Sequence, residues 1–463
     1  MRILFVIYDN ESFIHQFPMG LAYISAVLLK EGYDVTIYHQ DMNHYPDEHL
    51  TEYLNNNKFD AVGVSVIAGY YQYRKLLGIS KAINSSKNRP IYILGGHGPS
   101  PEPEFFMKKT GADIIVMGEG EETIKELMVA LTNKKSLQFI KGIAFRDGDK
   151  IVVNQHRQLI KDIDSILHPA WHLFPVNYYR LIRIGPHTKN TDFLMPVMSG
   201  RGCTFKCNFC YRMDTGFRPR SSESIIEEIR ILKKDYQINY IDFLDELLMT
   251  SEERTVQLCE DFIKAKLNVK WKCNGRLNYA KYDILKLMKK SGCLFINYGI
   301  ESMDDQILRN MKKGLTTKMV YEGIEATLKA GISPGLNIIF GNIGENEEIL
   351  RKGVEFLLKY DDGAQLRTIR PVTPYPGSPL YYYAIKKGLL KDCEDFYENK
   401  HLNADLVAIN FTDSTNEEFH RCLMEANSTL LENYYKNKLA LALEETRKLY
   451  LEKDVTFRGF RQT

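Results

Sequence analysis

SGRGCTFKCNFCYR, residues 199–212, places three cysteines on one short stretch of chain: Cys203, Cys207 and Cys210. Their spacing is C-x3-C-x2-C, and the next cysteine in the sequence is Cys259. Three thiolates on one compact loop can ligate three irons of a four-iron cluster and leave the fourth iron open to another ligand. A structural zinc ion instead needs four closed ligands, so zinc is the weaker alternative for this loop.

The chain around and after this loop alternates predicted strands with predicted helices. From residue 194, six apolar runs have the character of strands: LMPVMSG, YIDFLDE, KWKCNGR, FINYGIES, GLNIIFG and QLRTIRPV. A capping box at Ser224 and Glu227 predicts the start of the first helix. Six strand–helix units are too few for a closed eight-stranded barrel, so we predict a partial (β/α)6 barrel. The cysteine loop follows the first strand and should lie at the carboxyl-terminal mouth, where the active sites of such barrels are found.

The first part of the chain shows a second, separate alternation. Five short apolar runs, rich in β-branched residues, alternate with helical stretches such as residues 19–32; the runs are RILFVI, DVTIY, AVGVSV, IYIL and DIIVM. This order predicts an α/β domain with a doubly wound parallel sheet, whose ligands bind at the carboxyl ends of the strands.

These patterns divide the chain into four parts. Residues 1–137 are the predicted Rossmann-like domain, and residues 138–190 are a connector with a hairpin signal at Asp147-Gly148-Asp149. Residues 191–380 are the partial barrel, and residues 381–463 are a helical C-terminal region without clear strands.

The composition excludes several classes of protein. The chain has 463 residues, of which 44% are hydrophobic and 26% are charged, and its formal net charge is +2. That charge gives no global field for nucleic acid or membranes, and no apolar run approaches the roughly 18 residues of a spanning helix. The N-terminus lacks the features of a signal peptide, so we expect a cytoplasmic protein. In a reducing compartment the isolated cysteines are expected to be small buried hydrophobic residues.

The cysteine motif, with the aromatic Phe209 before its last cysteine, resembles the signature of the radical S-adenosylmethionine (radical SAM) superfamily. The resemblance implies that Cys203, Cys207 and Cys210 hold a [4Fe-4S] cluster, whose open iron binds the methionine part of S-adenosylmethionine. It also implies an external one-electron reductant of the flavodoxin or ferredoxin type. Reductive cleavage of S-adenosylmethionine would then give a 5′-deoxyadenosyl radical that takes hydrogen from an unactivated carbon.

Polar residues and turns at successive strand ends extend this resemblance. GNIGENEE (341–348) resembles the family's turn beside the adenine, and RPVTPYPGSPL (370–380) resembles a segment of the same branch. Each feature alone also fits a surface charge or an ordinary turn, but their regular order after the cysteine loop makes the set specific. The resemblance implies that S-adenosylmethionine is bound by Phe209, Asp245, Glu246, Arg276, Glu301, Ser302 and Gly341.

The N-terminal domain resembles the cobalamin-binding domain that is fused to many radical SAM enzymes. The resemblance rests on ILGGHGPSPEPEFF (93–106), on the serine of SVI (65–67) and on GEGEET (118–123). Two adjacent glycines at a strand end permit a close backbone approach, although they also fit a simple tight turn. The residues implied to bind cobalamin are Ser65, Gly95, Gly96, His97, Gly118, Glu119 and Gly120.

One part of the cobalamin pattern is missing. Domains that supply a histidine to cobalt carry Asp-x-His-x-x-Gly after the first strand, and Asp9 and His15 do not have that spacing. We therefore predict base-off cobalamin without a histidine ligand. His15 and His97 are expected to pack or to form hydrogen bonds.

The two resemblances together predict a cobalamin-dependent radical SAM enzyme that methylates an unactivated carbon of a small molecule or natural-product precursor. The alternatives are a cyclisation, oxidation or rearrangement with the same cofactors, and, more distantly, a non-catalytic iron–sulfur or cobalamin sensor. The sequence does not identify the substrate or catalytic residues. It contains no helix-turn-helix or basic stripe that would suggest nucleic acid as a partner.

Overall fold

The computed structural model describes residues 1–11, 17–182, 187–213 and 215–456, and two mainly parallel sheets organise them. His15, for which packing was predicted, lies outside the described residues.

The first sheet has seven strands in the order β2-β1-β3-β4-β5-β6-β7. Its first five strands pair in parallel, and β6 and β7 are antiparallel. All of β1 after its first residue is buried, as expected for a strand covered by helices on both faces. The predicted doubly wound sheet is confirmed. Its elements are β1 (Arg2–Ile7), α1 (Met19–Lys30), β2 (Asp34–His39), α2 (Gln40–Asn43), α3 (Asp47–Asn56), β3 (Ala61–Ser65), α4 (Tyr70–Asn84), β4 (Ile91–Gly95), α5 (Pro103–Thr110), β5 (Ile114–Val116), α6 (Glu121–Thr132), β6 (Ile143–Asp147) and β7 (Lys150–Val153).

The hairpin predicted for the connector forms the edge of this first sheet. β6 pairs with β5, so the sheet extends past residue 137 to Val153. The hairpin covers what would otherwise be an unpaired edge of β5, which explains why the sheet does not end at the expected boundary. The rest of the connector includes the short helix α7 (Val176–Tyr179). Its Trp171 ring packs against Phe17, with 4.8 Å between the ring centroids. The domain boundaries themselves stay a prediction.

The second sheet has six parallel strands in the order β15-β14-β13-β12-β11-β8, which confirms the predicted partial barrel. A separate two-stranded antiparallel ribbon, β9 and β10, joins the two ends of the cysteine loop. The elements are β8 (Leu194–Val197), β9 (Gly200–Arg201), β10 (Arg218–Pro219), α8 (Ser222–Tyr236), β11 (Tyr240–Phe243), α9 (Glu252–Lys264), β12 (Lys270–Gly275), α10 (Tyr282–Lys290), β13 (Cys293–Glu301), α11 (Asp305–Asn310), α12 (Thr317–Lys329), β14 (Ser333–Phe340), α13 (Glu347–Lys359), β15 (Arg370–Pro371) and α14 (Pro379–Lys386).

The capping box expected at Ser224 and Glu227 is wrong. Helix α8 begins at Ser222, and the side chain of Ser221 caps it by accepting from the backbone N–H of Ser224. Ser221 lies two residues after the end of β10 and has the extended backbone that an N-cap requires.

The C-terminal region is helical, as predicted, and contacts both sheets. It contains α15 (Cys393–Asp395), a π-helical turn (Phe396–Lys400) and α16 (Asn416–Leu451), which begins at a capping box of Thr415 and Glu418. The segment around Phe396 packs with the first sheet, whereas α16 packs on α13. Within the described part of the chain, no helix is both long and apolar enough to span a bilayer.

Candidate functional site

Two cavities lie at the carboxyl ends of the strands of the two sheets. The first, named here the sheet cavity, has a volume of about 380 Å³ and is lined by strand ends of the first sheet and by barrel residues that include Arg201 and Asp245. The second, named the cysteine cavity, has a volume of about 300 Å³ and is lined by the cysteine loop and the ends of the barrel strands. Glu246 lines both cavities, so they are neighbours.

The cysteine loop presents all three cysteines of the motif to the cysteine cavity. A hydrogen bond with Cys210, and then the nearby Lys313 and Arg276, lower the pKa of Cys207 to about 6. Burial raises the pKa of Cys203. The hydrogen bond between Cys207 and Cys210 raises the pKa of Cys210. Lys313 and Arg276 therefore favour the thiolate, which is the form that binds metal, at Cys207 in particular. No group of three or more His, Cys, Asp or Glu residues among the described positions is arranged around a single metal ion.

Arg276 lines this cavity with a buried hydrogen-bond donor that the described residues do not satisfy. It is buried, its Nε donates to Asn278 over 2.9 Å, and its Nη2 has no hydrogen-bond partner among the residues that the structure describes. Its guanidinium stacks on the ring of Phe205 in the cysteine loop, 3.3 Å from the ring centroid. A buried donor without a partner is costly, so this position fits a carboxylate such as that of S-adenosylmethionine, the ligand that the sequence resemblance implies for Arg276.

Glu301 reaches the cavity through an unusual backbone conformation. Its φ is +74°, and the register of β13 with β14 shifts at this point. Its Oε1 accepts from the Nζ of Lys313 over 2.7 Å, and both side chains are almost fully buried. A Cβ at Gly299 would lie 2.3 Å from the Glu301 carboxylate, so only glycine leaves room for this pair.

The remaining residues assigned to S-adenosylmethionine have different positions. Phe209 and Glu246 line the cysteine cavity. Asp245 lines the sheet cavity, where it accepts hydrogen bonds from the backbone N–H groups of Ser199 and Gly200 and therefore fixes the start of the cysteine loop. Ser302 and Gly341 line neither cavity. The Cα of Gly341 faces the ring of Phe419, so its assignment to this ligand rests on the sequence resemblance alone.

Sequence analysis missed a row of asparagines across the barrel mouth. The amide of Asn337 donates to Asn297 over 2.7 Å, Asn297 donates to Asn274 over 3.1 Å, and Asn274 donates to the carbonyl of Asp245 over 2.8 Å. All three asparagines line the cysteine cavity. The sequence signal that could have identified them is one asparagine on each of three consecutive strands, β12, β13 and β14. Lys313 was also missed, and it lies in a loop without any recognisable motif.

The sheet cavity contains every residue that the sequence analysis assigned to cobalamin: Ser65, Gly95, Gly96, His97, Gly118, Glu119 and Gly120. Between strand ends, the cavity continues into an apolar slot lined by residues such as Phe5, Ile24 and Ile124. Gly96 has a φ of +100°, and a Cβ there would lie 2.4 Å from the carbonyl oxygen of Val66. Such a glycine-lined slot fits a large ligand that enters between backbone segments. Burial lowers the pKa of His97.

Glu119 already has partners on the protein. It is paired with Arg201 and Arg218, each at 2.9 Å, and it accepts from the backbone N–H of Ile160 over 2.7 Å. Although burial acts in the opposite direction, these partners lower the net pKa of Glu119. Neither arginine was singled out from the sequence, although Arg201 lies two residues before Cys203.

Comparisons with known proteins agree with both halves of this geometry. The B12 binding domain family matches residues 14–128, and the Radical SAM superfamily matches residues 197–357. An uncharacterised methyltransferase of Pyrococcus horikoshii is 30% identical over 402 residues, which is 84% of this chain and 84% of that protein. An anaerobic magnesium-protoporphyrin IX monomethyl ester cyclase of Rubrivivax gelatinosus is 26% identical over 79% of this chain and 65% of that protein.

A solved structure has the same fold. The radical S-adenosylmethionine methyltransferase TsrM of Kitasatospora setae, with cobalamin and a [4Fe-4S] cluster bound, superposes with a TM-score of 0.68 at 18% identity, over 83% of this chain and 75% of TsrM. At that identity the superposition shows a shared fold only. The matches to the two families and the relative from Pyrococcus horikoshii establish more: the chain belongs to the cobalamin-dependent radical SAM enzymes, which use a [4Fe-4S] cluster, S-adenosylmethionine and cobalamin.

Proposed function

We propose that this enzyme transfers a methyl group to an unactivated carbon of a small molecule. The observation that carries the proposal is the adjacency of the two cavities, which share Glu246 as a lining residue. The cluster with S-adenosylmethionine supplies a carbon-centred radical, and cobalamin supplies a transferable methyl group. Methyl transfer to a substrate radical needs both supplies at one place, and neighbouring cavities meet that need.

The proposed roles of the protein side chains follow from their positions. Cys203, Cys207 and Cys210 ligate the cluster. Arg276 holds the carboxylate of S-adenosylmethionine through its Nη2, for which the described part of the chain offers no hydrogen-bond partner. Glu246 lies between the two cavities, and we propose that the substrate binds beside it.

Residues of the sheet cavity have a separate proposed role. Ser65, Gly95 and Gly96 line the slot for the nucleotide tail of cobalamin, and His97 packs beside it. The ring of His97 meets the ring of Tyr211, which directly follows Cys210, edge to face at 6.1 Å. This contact joins a residue that lines the sheet cavity to one that lines the cysteine cavity, which supports close placement of the two cofactors.

A second candidate keeps both cofactors but closes a ring or oxidises the substrate. Its support is the relative from Rubrivivax gelatinosus, whose name describes a cyclase. A non-catalytic sensor is less well supported, because a sensor gives no reason for the Lys313–Glu301 pair buried beside the cysteine loop or for an Arg276 Nη2 that has no hydrogen-bond partner among the described residues.

An experiment without substrate separates the two enzymatic candidates. The protein is reconstituted anaerobically with iron, sulfide and hydroxocobalamin, then reduced in the presence of S-adenosylmethionine labelled in its methyl group. The methyltransferase should accumulate labelled methylcobalamin and S-adenosylhomocysteine. Formation of 5′-deoxyadenosine without label on cobalamin would contradict methyl transfer and favour the second candidate. Absence of any S-adenosylmethionine cleavage would favour the sensor.

A further inference from the structure

Four charged residues connect the first sheet to the cysteine loop. Glu119 and Glu121 lie at the start of α6, and Arg201 and Arg218 lie opposite each other in the β9–β10 ribbon. Arg201 pairs with Glu119 at 2.9 Å and with Glu121 at 2.5 Å, and Arg218 pairs with Glu119 at 2.9 Å. We name these four residues the ion clamp.

The ion clamp is buried. The arginine side chains are 12% and 13% exposed, and the glutamates are 6% and 7% exposed. Buried ion pairs contribute little net stability, because desolvation offsets their attraction, and apolar replacements of the same volume are often as stable. Their directional contacts do fix the relative position of the elements that carry them.

The ion clamp joins the base of the cysteine loop to the wall of the sheet cavity. The β9–β10 ribbon closes the base of the cysteine loop, because Arg201 and Arg218 flank residues 202–217 on either side. Glu119, Glu121 and Arg201 also line the sheet cavity. Ile160 of the connector joins the same group, since its N–H donates to Glu119 and its carbonyl accepts from Arg218 over 2.6 Å.

We infer that the ion clamp couples the two cofactor sites, so that occupation of the sheet cavity by cobalamin orders the cysteine loop and assembly of the cluster tightens cobalamin. Glu121 and Arg201 are positioning residues in this device. The coupling goes beyond methyl transfer and does not depend on it. By thermodynamic linkage, the cluster raises the affinity for cobalamin by the same factor as cobalamin raises the affinity for the cluster, and these affinities can be measured without turnover.

The Arg201–Glu121 pair offers the cleanest test. Hydroxocobalamin affinity is measured by absorbance for the iron-free and the cluster-reconstituted protein, in the wild type, Glu121→Gln and Arg201→Gln. We expect the cluster to tighten hydroxocobalamin by about fivefold or more in the wild type. The ratio should fall in both variants, and further in Arg201→Gln, because that change removes two of the three ion pairs. Arg157→Gln is the matched control. It removes the ion pair between Arg157 and Glu126 of the same helix α6, and this pair does not contact the described residues of the cysteine loop.

The ratio distinguishes coupling from a direct contact. If Glu121 only touched cobalamin, Glu121→Gln would weaken both forms equally, and an unchanged ratio would overturn the inference. A wild-type ratio of one would also overturn it. Hydrogen exchange of residues 202–217 gives a second readout on the iron-free protein, which serves if a variant does not take up iron. Hydroxocobalamin should slow that exchange in the wild type and in Arg157→Gln, and slow it less in Glu121→Gln, which keeps only the two pairs of Glu119. Equal slowing in all three proteins would refute the coupling.

Discussion

For Arg276, the sequence predicted the position, and the surroundings in the structure indicate which ligand group it binds. Its place at the end of β12 predicted a position at the barrel mouth. The structure places it in the cysteine cavity, where none of the described residues hydrogen-bonds its Nη2. Arg201 and Lys313 could not be found in this way. Their function depends on which distant carboxylates their long side chains reach, and that is decided by tertiary packing.

Replacing Arg276 should weaken the binding of S-adenosylmethionine. A hydrogen bond to a charged group contributes about 1.5–3 kcal/mol, so Arg276→Gln should raise the Kd by roughly ten- to a hundredfold. Equilibrium dialysis of the cluster-reconstituted protein measures it. Arg309→Gln, which removes an exposed arginine that bonds only Gln306 in the described contacts, is the control and should change nothing. An unchanged Kd in Arg276→Gln would contradict the proposed carboxylate contact.

Glu345 makes stability depend on pH. Burial raises its pKa to about 8, against the hydrogen bonds from Asn342 and Gly341 that favour the charged form. The unfolded chain releases this proton near the ordinary value of 4.5, so between about pH 4.5 and 8 the folded state holds more protons and becomes less stable as the pH rises. The loss can reach about 1.4 kcal/mol for each pH unit in that window.

Glu345→Gln cannot ionise and should escape this loss. Thermal unfolding of the iron-free protein should show a Tm advantage of Glu345→Gln over the wild type that grows from pH 5 to about pH 8 and then stays constant. Glu355→Gln removes an exposed carboxylate from the neighbouring helix α13 and should show no such growth. A constant difference between wild type and Glu345→Gln across this range would rule out the raised pKa.

At the scale of elements, most of the correct predictions came from the alternation of strands with helices and from the positions where strands end. Both sheets and the position of the cysteine loop followed from strands whose carboxyl ends share one edge. The start of α8 was missed because several neighbouring serines compete for the cap, and local sequence does not say which has an extended backbone. The role of the β6–β7 hairpin was missed because pairing with β5 is a contact between elements.

The cysteine loop should act as a unit in binding iron. Substitution of any one of Cys203, Cys207 and Cys210 by serine should remove most of the iron and sulfide of the reconstituted protein. The cluster has only these three proposed protein ligands, so the loss of one leaves a second iron without a thiolate. Cys259→Ser is the matched control, since Cys259 is buried in the barrel core away from the cavity. Iron and sulfide analysis with the absorption spectrum provides the measurement. Full iron content after any of the three loop substitutions would remove that cysteine from the ligand set.

At the scale of the whole molecule, the sheets are not independent. One continuous hydrophobic core runs from Ile3 in β1 to Leu430 in α16 and includes residues of the connector and the barrel. A second core joins the other face of the first sheet to the C-terminal segment around Phe396. The first sheet is therefore held between the barrel side and the C-terminal region, an arrangement that sequence patterns within single elements could not reveal.

This continuity predicts one cooperative unfolding transition that cobalamin moves as a whole. A ligand at a hundred times its Kd stabilises the folded state by about 2.7 kcal/mol. Calorimetry of the iron-free protein should thus show a single endotherm that shifts upward with hydroxocobalamin. Gly96→Ala should abolish the shift, because the added Cβ lies 2.4 Å from the Val66 carbonyl, whereas Gly32→Ala has a comparable φ with open space and should keep it. Two endotherms, of which hydroxocobalamin moves only one, would show that the shared core does not unite the two sheets energetically.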